Sequence, residues 1–476
     1  MITTLLSNNN ETDTFNWDTV FAIPINEVNK AIINKKSSPK DFKSENTADK
    51  IYAQGDFGDW QLTMGGSGSI IRLTLPINNL KGYFYNGDTQ VQYASSGPVN
   101  AVIQVKLQFL PHDDQPQNPN DGTFHELVIR KESGNPDDPV VSLISLDMGP
   151  SAITPGIGKY AAESAILAWC NGNIGEFAHV FATVNLNKII DKDAFAFCNP
   201  SFTSYAYLDR TDDQDSLLGV LCMTGNRTGE DNIQQISPFT VPNSSNSGFL
   251  ISKKRFLTDL ILPTFPVLWP HAHANDFEVT SDNNYIKLKE NVTVQMPDVE
   301  HNGIHYTPYL KRFSIQIQDE HLIVTSYTET EVFPGITAWC QSTKTYSISL
   351  GSSKNGQTII YKEIGSGDEQ HGTYKSPGIE IAEWMLAIIV VIALIILGVL
   401  TDGAAFVVGA LIIGALGGLA AATPEIVDLV NSDDSPSIEM LAFNISDPIQ
   451  WSDSKDYLLQ SVGLNGPLQL GGKLTF

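Results

Sequence analysis

Two apolar runs towards the C-terminal end of the sequence constrain the fold more than any other feature. The first, WMLAIIVVIALIILGVL at 384–400, has seventeen residues, and twelve of them are Leu, Ile or Val. The second, AAFVVGALIIGALGGLAAA, occupies 404–422. A helix that is apolar on every side has no face that water solvates favourably. Such a helix has to be buried completely in the protein or has to enter a membrane.

We predict an inserted apolar helical hairpin at 377–432, with its turn at Thr401-Asp402-Gly403. Transfer of the first run into a bilayer would contribute about −4 to −7 kcal/mol. As a helix it would span about 25 Å, slightly less than a hydrocarbon core of roughly 30 Å. Small residues recur at every fourth position in the second run, which permits close helix packing. The residues predicted to contact the membrane are Trp384, Ile392, Leu397, Asp402, Phe406, Gly414 and Gly418.

The flanks of this hairpin differ from those of a permanent membrane anchor. No Lys or Arg occurs from Ser376 to Ser454, whereas membrane proteins carry basic residues on their cytoplasmic side. An ionised Asp402 would cost about 2.5–3.5 kcal/mol at the bilayer centre, and protonation would reduce that cost. Three interpretations stay open. The hairpin is sequestered until a trigger such as acidity releases it, or it is a permanent two-helix anchor, or it is a buried structural element.

The charge and the cysteines limit the classes of partner and the compartment. The chain has 53 acidic and 29 basic residues and a formal net charge of −24, which argues against a nucleic-acid partner because phosphate neutralisation needs a basic face. The segment MITTLLSNNNETDTF lacks the features of a secretory signal peptide, so we expect synthesis in the cytoplasm. The cysteines are unevenly spaced, and we expect them to be reduced and partly buried: Cys170, Cys198, Cys222 and Cys340.

Period-two alternation predicts strands along most of the remaining chain. In AVIQVKLQF at 101–109, Ile103, Val105 and Leu107 point to one side, and the intervening polar residues point to the other. One-sided alternation is typical of antiparallel sheets with one solvated face. The same pattern occurs at 69–77, 123–131, 140–148, 312–318 and 321–328.

Three helices are predicted outside the apolar runs. The first covers 15–33, and its apolar face consists of Phe21, Ile25, Val28 and Ile32. The second covers 159–171. The third covers 252–262, with Ser252 as its N-cap and Pro263 after its last residue. This order of helices and strands predicts an α+β fold in which strongly curved antiparallel sheets wrap long helices. The helix-plus-strands unit occurs twice, which predicts halves at 1–248 and 249–476, with the hairpin inserted in the second.

Five segments of the sequence resemble one bacterial family. They are NWDTVFAIPINEVNKAI near the start, AILAWCNGNIGEFAHVFATVNLN at 165–187, SYAYLDRTDDQDSLLGVLCMTGN at 204–226, LISKKRFLTDLILP at 250–263 and LNGPLQLGG at 464–472. The chain resembles the P-47-like family of orfX-type botulinum neurotoxin gene clusters and its wider bacterial relatives. The resemblance implies a TULIP-like (tubular lipid-binding) fold, often with an apolar groove, and synthesis in a bacterial cell. It transfers no catalytic residue.

The resemblance and the hairpin together lead to a functional expectation. We expect a non-enzymatic accessory protein of a toxin system that binds lipid, another apolar ligand or a membrane, and that assists delivery or assembly of a partner toxin. Release from the cell, membrane association through the hairpin and oligomer formation belong to the same expectation. The candidate groove wall, which the same periodicity equally predicts as plain core, is Phe21, Ile25, Val28, Ile32, Phe256 and Leu260. The alternatives are a protein-binding assembly factor with a plugged groove and a pore-forming effector.

Motifs of enzymes and metal sites are weak in this sequence. The pair His271/His273 has no partner motif, and His301 and His305 enclose Asn302-Gly303, which predicts a turn instead of a metal-binding helix. GGSGS at 65–69 lacks the lysine of a phosphate loop, and DRTDDQD at 209–215 lacks the glycine and final glutamate of an EF-hand. We therefore expect no catalytic site, no metal site and no cofactor.

Overall fold

Long antiparallel strands form most of the molecule. Apolar and polar residues alternate along them, so that every second side chain is buried. The computed structural model describes residues 12–475 except 48, 134, 136, 187–197, 213, 214, 418–426, 436, 438–448, 453 and 455. All six segments predicted as strands lie in strands. In the strand at Val99–Pro111, for example, Ala101, Ile103, Val105 and Leu107 are buried, and the intervening residues are half-buried.

The strands, in chain order, are β1 Thr19–Pro24, β2 Asp41–Asn46, β3 Ile51–Phe57, β4 Gln61–Ser67, β5 Ile70–Asn86, β6 Thr89–Ser95, β7 Val99–Pro111, β8 Thr123–Ile129, β9 Val141–Asp147, β10 Ile153–Thr154, β11 Val180–Leu186, β12 Pro200–Leu208, β13 Leu217–Thr224 and β14 Ser247–Ile251. They continue with β15 Phe277–Val279, β16 Tyr285–Leu288, β17 Val294–Gln295, β18 Val299–His301, β19 Ile304–Tyr306, β20 Tyr309–Gln318, β21 His321–Phe333, β22 Ile336–Ser353, β23 Gly356–Glu363, β24 Asp368–Lys375, β25 Ile449–Trp451, β26 Asp456–Leu464 and β27 Leu468–Thr475.

Helices are few among the described residues. The α-helices are α1 Ile25–Lys35, α2 Gly158–Gly172, α3 Lys253–Arg255, α4 Phe265–Leu268 and α5 Glu383–Gly417. Short 3₁₀ turns cover Pro119–Asp121, Ile174–Glu176, Leu262–Thr264 and Ala274–Asp276, and Phe256–Ile261 is a π-helix. The latter joins α3 to the turn at Leu262–Thr264 and to α4, so that 253–268 is one continuous helical segment.

Within the described residues, the strands form three large antiparallel sheets. The N-terminal sheet has the order β10-β6-β5-β7-β8-β11-β25, with β2, β3, β4 and β9 attached. The central sheet has the order β12-β13-β1-β14-β27-β26. The C-terminal sheet has the order β15-β16-β20-β21-β22-β23, with β17 and β24 attached. The central sheet takes strands from both sides of residue 248, and the division of the chain into two halves at that residue stays a prediction.

The first predicted helix is wrong in its N-terminal part, because residues 19–24 form strand β1 in the middle of the central sheet. Phe21 pairs with Val220 of β13 and with Phe249 of β14. Pro24 ends the strand and is the N-cap of α1, so the helix begins only at Ile25. Ile25, Val28 and Ile32 do lie on the buried side of α1, but Phe21 does not share their helical face.

The other two predicted helices differ in their outcome. The prediction at 159–171 is confirmed by α2, which packs against β2, β3 and β9. In the third, Ser252 is the N-cap as predicted, and its hydroxyl accepts a hydrogen bond from the Arg255 N–H at 3.3 Å. The predicted end at Pro263 is wrong. Pro263 lies in the first turn of a 3₁₀ helix, where its missing N–H needs no partner, and the segment continues to Leu268.

The predicted turn at Thr401-Asp402-Gly403 is also wrong. These residues lie inside α5, which is a single helix of 35 residues. Two contacts accompany the continuous backbone: the Thr401 hydroxyl donates to the Glu369 carboxylate of β24 at 3.0 Å, and Gly403 lies beside Leu268. Val427 packs against Gly409, and residues 418–426 of the predicted hairpin lie outside the described residues.

His179 is a buried titratable group that connects the N-terminal sheet to the segment after α1. Its Nδ1 lies 2.7 Å from the Ser37 hydroxyl, its ring lies 5.5 Å from the ring of Trp60, and its side chain is 1% exposed. Nε2 has no hydrogen-bond partner among the described residues. Burial lowers the pKa of His179 to about 4, because the charged imidazolium would be desolvated there.

We predict that His179 destabilises the fold as the pH falls from about 6.5 towards 4, since the unfolded chain takes up a proton that the folded chain refuses. Each pH unit in this window removes about 1.4 kcal/mol of the free energy of unfolding, or about 3 kcal/mol over the whole window. Urea unfolding of wild type and His179→Gln across this pH range measures the effect. His371→Gln, at an exposed position of β24, is the control. Equal pH dependence of wild type and His179→Gln would contradict the prediction.

Candidate functional site

Helix α5 is apolar on both of its long sides, and only one of them is covered. The buried side repeats at spacings of three and four residues: Ile389, Ile392, Ala393, Ile396, Leu397, Leu400, Ala404, Val407, Val408 and Ile412. The uncovered side, which we call the outer stripe, is formed by Trp384, Leu386, Val390, Val391 and Leu394 with exposed fractions of 62%, 45%, 41%, 39% and 55%. Contiguous apolar surface of this kind is typical of contact sites for membranes or proteins.

The residues predicted to contact a membrane fall on different sides of α5. Trp384 and Asp402 are exposed, and the indole of Trp384 packs against Phe333 with ring centroids 5.8 Å apart. Ile392 and Leu397 are buried. Phe406 and Gly414 belong to α5, whereas Gly418 lies outside the described residues. In the structure, Trp384 therefore lies beside Phe333 and the other residues of the outer stripe, which the sequence analysis did not single out.

One helix in the described part of the chain is long and apolar enough to cross a membrane, by length and composition alone. It is the segment Glu383–Gly409 of α5, and 33% of its most apolar window is buried. The core helix of a soluble protein is mostly buried, and α5 is buried on one side only.

The surface beneath α5 is the inner face of β21 and β22, and it contains a hydrophilic patch. The Cys340 thiol of β22 donates to the Ala393 carbonyl oxygen at 3.4 Å, which locates the helix over this strand. Ile336 and Ala338 of β22 point inwards and are apolar, as are Leu322 and Val324 of β21, but the side chains between these ends form a hydrophilic, buried set. We call this set the polar floor: Ser326, Thr328, Thr330, Ser342 and Lys344. The strand register continues it into β24, where Glu369 is opposite Ser342.

Hydroxyl groups of the floor are buried without hydrogen bonds. Thr330 Oγ1, Ser342 Oγ and the Tyr346 hydroxyl have no partner among the described residues. Burial also raises the pKa of Tyr346, which agrees with a dry environment. A buried hydroxyl without a partner costs about 1–3 kcal/mol, and the apolar side of α5 has no side chain that can pair with it. The helix and its floor are therefore chemically mismatched.

A small network of ion pairs and hydrogen bonds, which we call the Lys344 clasp, links the sheet to α5. It consists of Lys344, Glu363, Glu369 and Thr401. The ammonium of Lys344 lies 3.0 Å from Glu363 and 2.8 Å from Glu369, and Glu369 in turn accepts the hydrogen bond from Thr401 of α5. The hydrogen bond that Lys344 donates to Glu369 is the main cause that raises the pKa of Lys344. The same bond, with the one from Thr401, lowers the pKa of Glu369. Both shifts favour the charged forms of Lys344 and Glu369.

The six candidate groove residues all belong to the apolar core. None of them is more than 5% exposed: Phe21, Ile25, Val28, Ile32, Phe256 and Leu260. The ring of Phe21 makes edge contacts with Phe249, Trp451 and Tyr457 at centroid distances of 5.8, 5.9 and 5.8 Å. The role of these residues as the wall of a lipid groove stays a prediction.

The histidine pairs, the glycine-rich segment and the acidic segment named in the sequence analysis lie in turns or form local hydrogen bonds. The N–H of His273 donates to the Asp276 carboxylate at 2.7 Å, and Asn302-Gly303 forms the predicted turn between β18 and β19 with φ of 52° and 74°. The carboxylate of Asp209 accepts a hydrogen bond from the N–H of Gly65 at 2.8 Å, which joins part of the acidic segment to the glycine-rich turn. In the described ranges, no group of three or more His, Cys, Asp or Glu is arranged to hold a metal ion.

The cysteines are free and buried, as predicted. Burial raises the pKa of Cys170 and of Cys340 to about 12, so both stay protonated thiols near neutral pH. A protonated, inaccessible thiol is a poor nucleophile.

The polar floor is the part of the site that sequence reasoning missed. Its signal is present in HLIVTSYTETEVF at 321–333, where Ser326, Thr328 and Thr330 alternate with Thr325, Tyr327 and Glu329. Because the middle of this strand, at 325–330, is hydrophilic on both sides, the alternation there does not show which side is buried.

Comparison with known proteins gives one consistent result. The family described as "OrfX-like: Protein OrfX2/OrfX3/P47" matches residues 14–472. Protein OrfX3 of Paraclostridium bifermentans is 38% identical, covering 98% of this chain and 99% of the relative. Protein OrfX3 of Clostridium botulinum (strain Kyoto / Type A2) is 33% identical over the same shares. The structure of P47 from Clostridium botulinum A2 has a TM-score of 0.63 at 21% identity and covers 97% of this chain and 98% of that chain, which shows a common β-rich fold.

We predict that replacing unpaired hydroxyl groups of the polar floor with apolar groups stabilises the protein. The double variant Thr330→Val, Ser342→Ala removes two buried hydroxyls that lack partners and should raise the free energy of unfolding by about 1–2 kcal/mol. Chemical denaturation measures the change. Thr325→Val is the control, because its hydroxyl points away from α5 and lies 3.3 Å from that of Thr343. A loss of stability in the double variant would show that water or another group satisfies the floor.

Proposed function

The chain belongs to the OrfX-like family of OrfX2, OrfX3 and P47 proteins, and from this premise we propose that it is a non-enzymatic accessory protein of a bacterial toxin system that engages membranes through α5. The observation that carries the membrane part is the pairing of an exposed apolar stripe with a polar floor on the two sides of one helix. The toxin part rests on the family resemblance.

Membrane insertion would relieve the exposure of the outer stripe. In the water-soluble form α5 buries one apolar side and leaves Trp384, Val391 and Leu394 in contact with water. In a bilayer both sides of α5 contact hydrocarbon. Burial of the outer stripe therefore contributes a favourable free energy to the transfer of α5 from water to the bilayer. The segment Glu383–Gly409 has 27 residues and would be about 40 Å long, enough to cross a hydrocarbon core of roughly 30 Å.

The slot that α5 leaves would tolerate water. Departure of a helix from an apolar slot exposes hydrocarbon, whereas departure from the polar floor lets Thr330, Ser342 and Lys344 form hydrogen bonds with water. The free-energy cost of opening the slot is therefore lower than for an ordinary core helix. This difference supports a helix that is held in the soluble form and remains able to leave.

Exposed carboxylates near α5 would make this step sensitive to pH. Glu380, Glu383, Asp402 and Asp428 are exposed and repel an anionic lipid surface at neutral pH. The net negative charge of the whole chain falls in acid, which reduces its repulsion by such a surface. Acid should break the bonds of Glu369 in the clasp less readily, because hydrogen bonds from Lys344 and Thr401 lower the pKa of Glu369. We therefore infer that membrane binding increases in mild acid and that the clasp limits its rate.

A TULIP-like arrangement is part of the same proposal. It is supported by α2, which packs against β2, β3, β5 and β9, and by the segment 253–268, which contacts β20 through an aromatic side chain. In the latter, Phe265 makes an edge contact with Phe313 at a centroid distance of 5.3 Å. The protein would be released from the bacterial cell and would reach its target membrane with or before a partner toxin.

A second candidate is an assembly factor that binds only proteins. The same stripe favours it, because an exposed tryptophan beside aliphatic residues is typical of protein–protein contacts. In this case a partner toxin or accessory protein covers the stripe, and α5 never leaves its floor. A pore-forming effector is a third candidate, which release of a trapped dye by purified protein would distinguish from both.

We predict that the outer stripe determines membrane binding. Leu394→Glu places a charge on the stripe without disturbing the core and should abolish flotation with phosphatidylglycerol-containing liposomes at about pH 5. Leu458→Glu is a matched control, because Leu394 and Leu458 are both 55% exposed. Wild type and Leu458→Glu should float, more strongly at about pH 5 than at pH 7.

Absence of wild-type flotation at both pH values would rule out membrane engagement by the purified protein. Binding of an isolated toxin partner that Leu394→Glu abolishes would then favour the assembly factor.

We predict that α5 has to leave its floor for membrane binding. In Ala393→Cys the new sulfur would lie close to that of Cys340, whose Sγ is 3.4 Å from the Ala393 carbonyl oxygen. Oxidation to a disulfide should hold α5 in place and remove flotation, and reduction with dithiothreitol should restore it. Ala387→Cys, at an exposed position of α5, is the control. Undiminished flotation of the cross-linked protein would mean that the outer stripe binds the membrane surface without displacement of the helix.

A further inference from the structure

The N-terminal sheet carries a row of aromatic and hydrophilic residues on its solvent-facing side. The strand register aligns four of them across neighbouring strands: Glu45 of β2 is opposite Tyr52 of β3, Tyr52 is opposite Tyr83 of β5, and Tyr83 is opposite Gln92 of β6. Because strands lie about 4.8 Å apart, the row is about 14 Å long. The opposite side of the same strands is core, as Tyr93 and Ala53 are buried there.

The tyrosines form an angled aromatic surface. Tyr52 and Tyr83 are stacked with ring centroids 5.2 Å apart and an interplanar angle of 16°. Tyr85 meets Tyr83 at 6.1 Å and 84°, so its ring forms a wall beside the Tyr83 ring. A cleft of about 310 Å³ lies at this angle and is lined by Glu45, Thr47, Lys50, Ile51, Tyr83 and Tyr85. A cleft of this size admits one or two sugar-sized rings.

The charges of the cleft select a neutral ligand. Lys50 Nζ lies 5.6 Å above the ring of Tyr85, so a cationic ligand such as a quaternary ammonium would meet a like charge on the face it needs. Glu45 lies near enough to contribute to the raised pKa of Tyr83, after desolvation, and would repel an anion such as phosphate. One acid and one base leave no net charge at the site.

We propose that this cleft binds a neutral carbohydrate. The faces of Tyr83 and Tyr85 that are not covered by Tyr52 and Lys50 would pack against the C–H face of a sugar ring, as apolar surface with a favourable quadrupole. Glu45 accepts hydrogen bonds from hydroxyls, Lys50 donates them, and the amide of Gln92 does both. This mixed set of donors and acceptors beside aromatic rings matches a polyhydroxyl ligand better than it matches a fatty acyl chain, which needs no hydrogen bonds. The proposal is independent of membrane engagement, because all its residues lie in β2–β6 and the loop after β2.

Saturation-transfer NMR on the full-length protein tests the proposal. The probes are galactose, N-acetylgalactosamine, glucose, N-acetylglucosamine and mannose, each at about 10 mM, with choline and inorganic phosphate as charged comparisons. At least one sugar should receive saturation at its ring protons. Tyr83→Ala and Tyr85→Ala should each weaken binding of that sugar by about tenfold or more. Tyr160→Ala, at a tyrosine of α2 that is 72% exposed, should not weaken it.

Conservative variants separate binding from folding. Tyr85→Phe keeps the ring and should retain most of the affinity, and Glu45→Gln keeps the shape and should weaken binding of the sugar. Thermal melting curves that superimpose on wild type establish that each variant is folded. No saturation transfer to any of the five sugars, equal transfer in Tyr85→Ala, or tighter binding of choline or phosphate would overturn the proposal.

Discussion

The contact between an apolar helix and a hydroxyl-lined sheet is the constraint on which the C-terminal part of this protein depends. Burial of α5 on β21 and β22 removes apolar surface from water, which favours the folded form. The same contact dehydrates Thr330 and Ser342 without giving them partners, which opposes it. Each large side chain that α5 buries contributes about 1.5–3 kcal/mol, and each unpaired hydroxyl costs about 1–3 kcal/mol, so the hydroxyls weaken the hold on the helix without cancelling it. The outer stripe stays exposed while α5 lies on the sheet. Its apolar surface therefore favours association of α5 with a membrane or with another protein.

The two helical elements on the C-terminal sheet show that this mismatch is local. The segment 253–268 packs on the apolar inner face of β20, where Phe265, Trp269, Phe277 and Phe313 form a cluster with ring centroids 4.3 to 6.2 Å apart. That contact is complementary on both sides and is typical of a permanent core. On β21 and β22 the inner face also contains the hydrophilic floor, and the element above it is α5. The sheet thus combines a helix on a wholly apolar contact with a helix on a mixed one, which Glu369 also bonds through Thr401.

The membrane and carbohydrate proposals concern different sheets and different chemistry. The outer stripe would gain from hydrocarbon, whereas the tyrosine cleft would gain from hydrogen bonds and aromatic contact at a wet surface. A protein with both properties could bind a glycosylated surface through the N-terminal sheet before α5 encounters the bilayer, because binding through one site raises the local concentration at the other. The net charge of −24 makes such a neutral attachment useful, since an acidic protein is repelled by anionic lipid.

The sequence by itself determined six of the strands, the helix α2, the Ser252 cap and the presence of an apolar helix near the C-terminal end, because periodicity, capping and hydropathy are local properties. Only the tertiary structure decided that Phe21 lies in a strand, since β1 is held on both sides by partners distant in sequence. It likewise decided that Thr401-Asp402-Gly403 stays helical, because the local turn signal is weaker than a helix packed along β22 and bonded to Glu369. The polar floor belongs to the same class. Serines and threonines alternate on a strand whichever side is covered, and burial is a property of what lies above them.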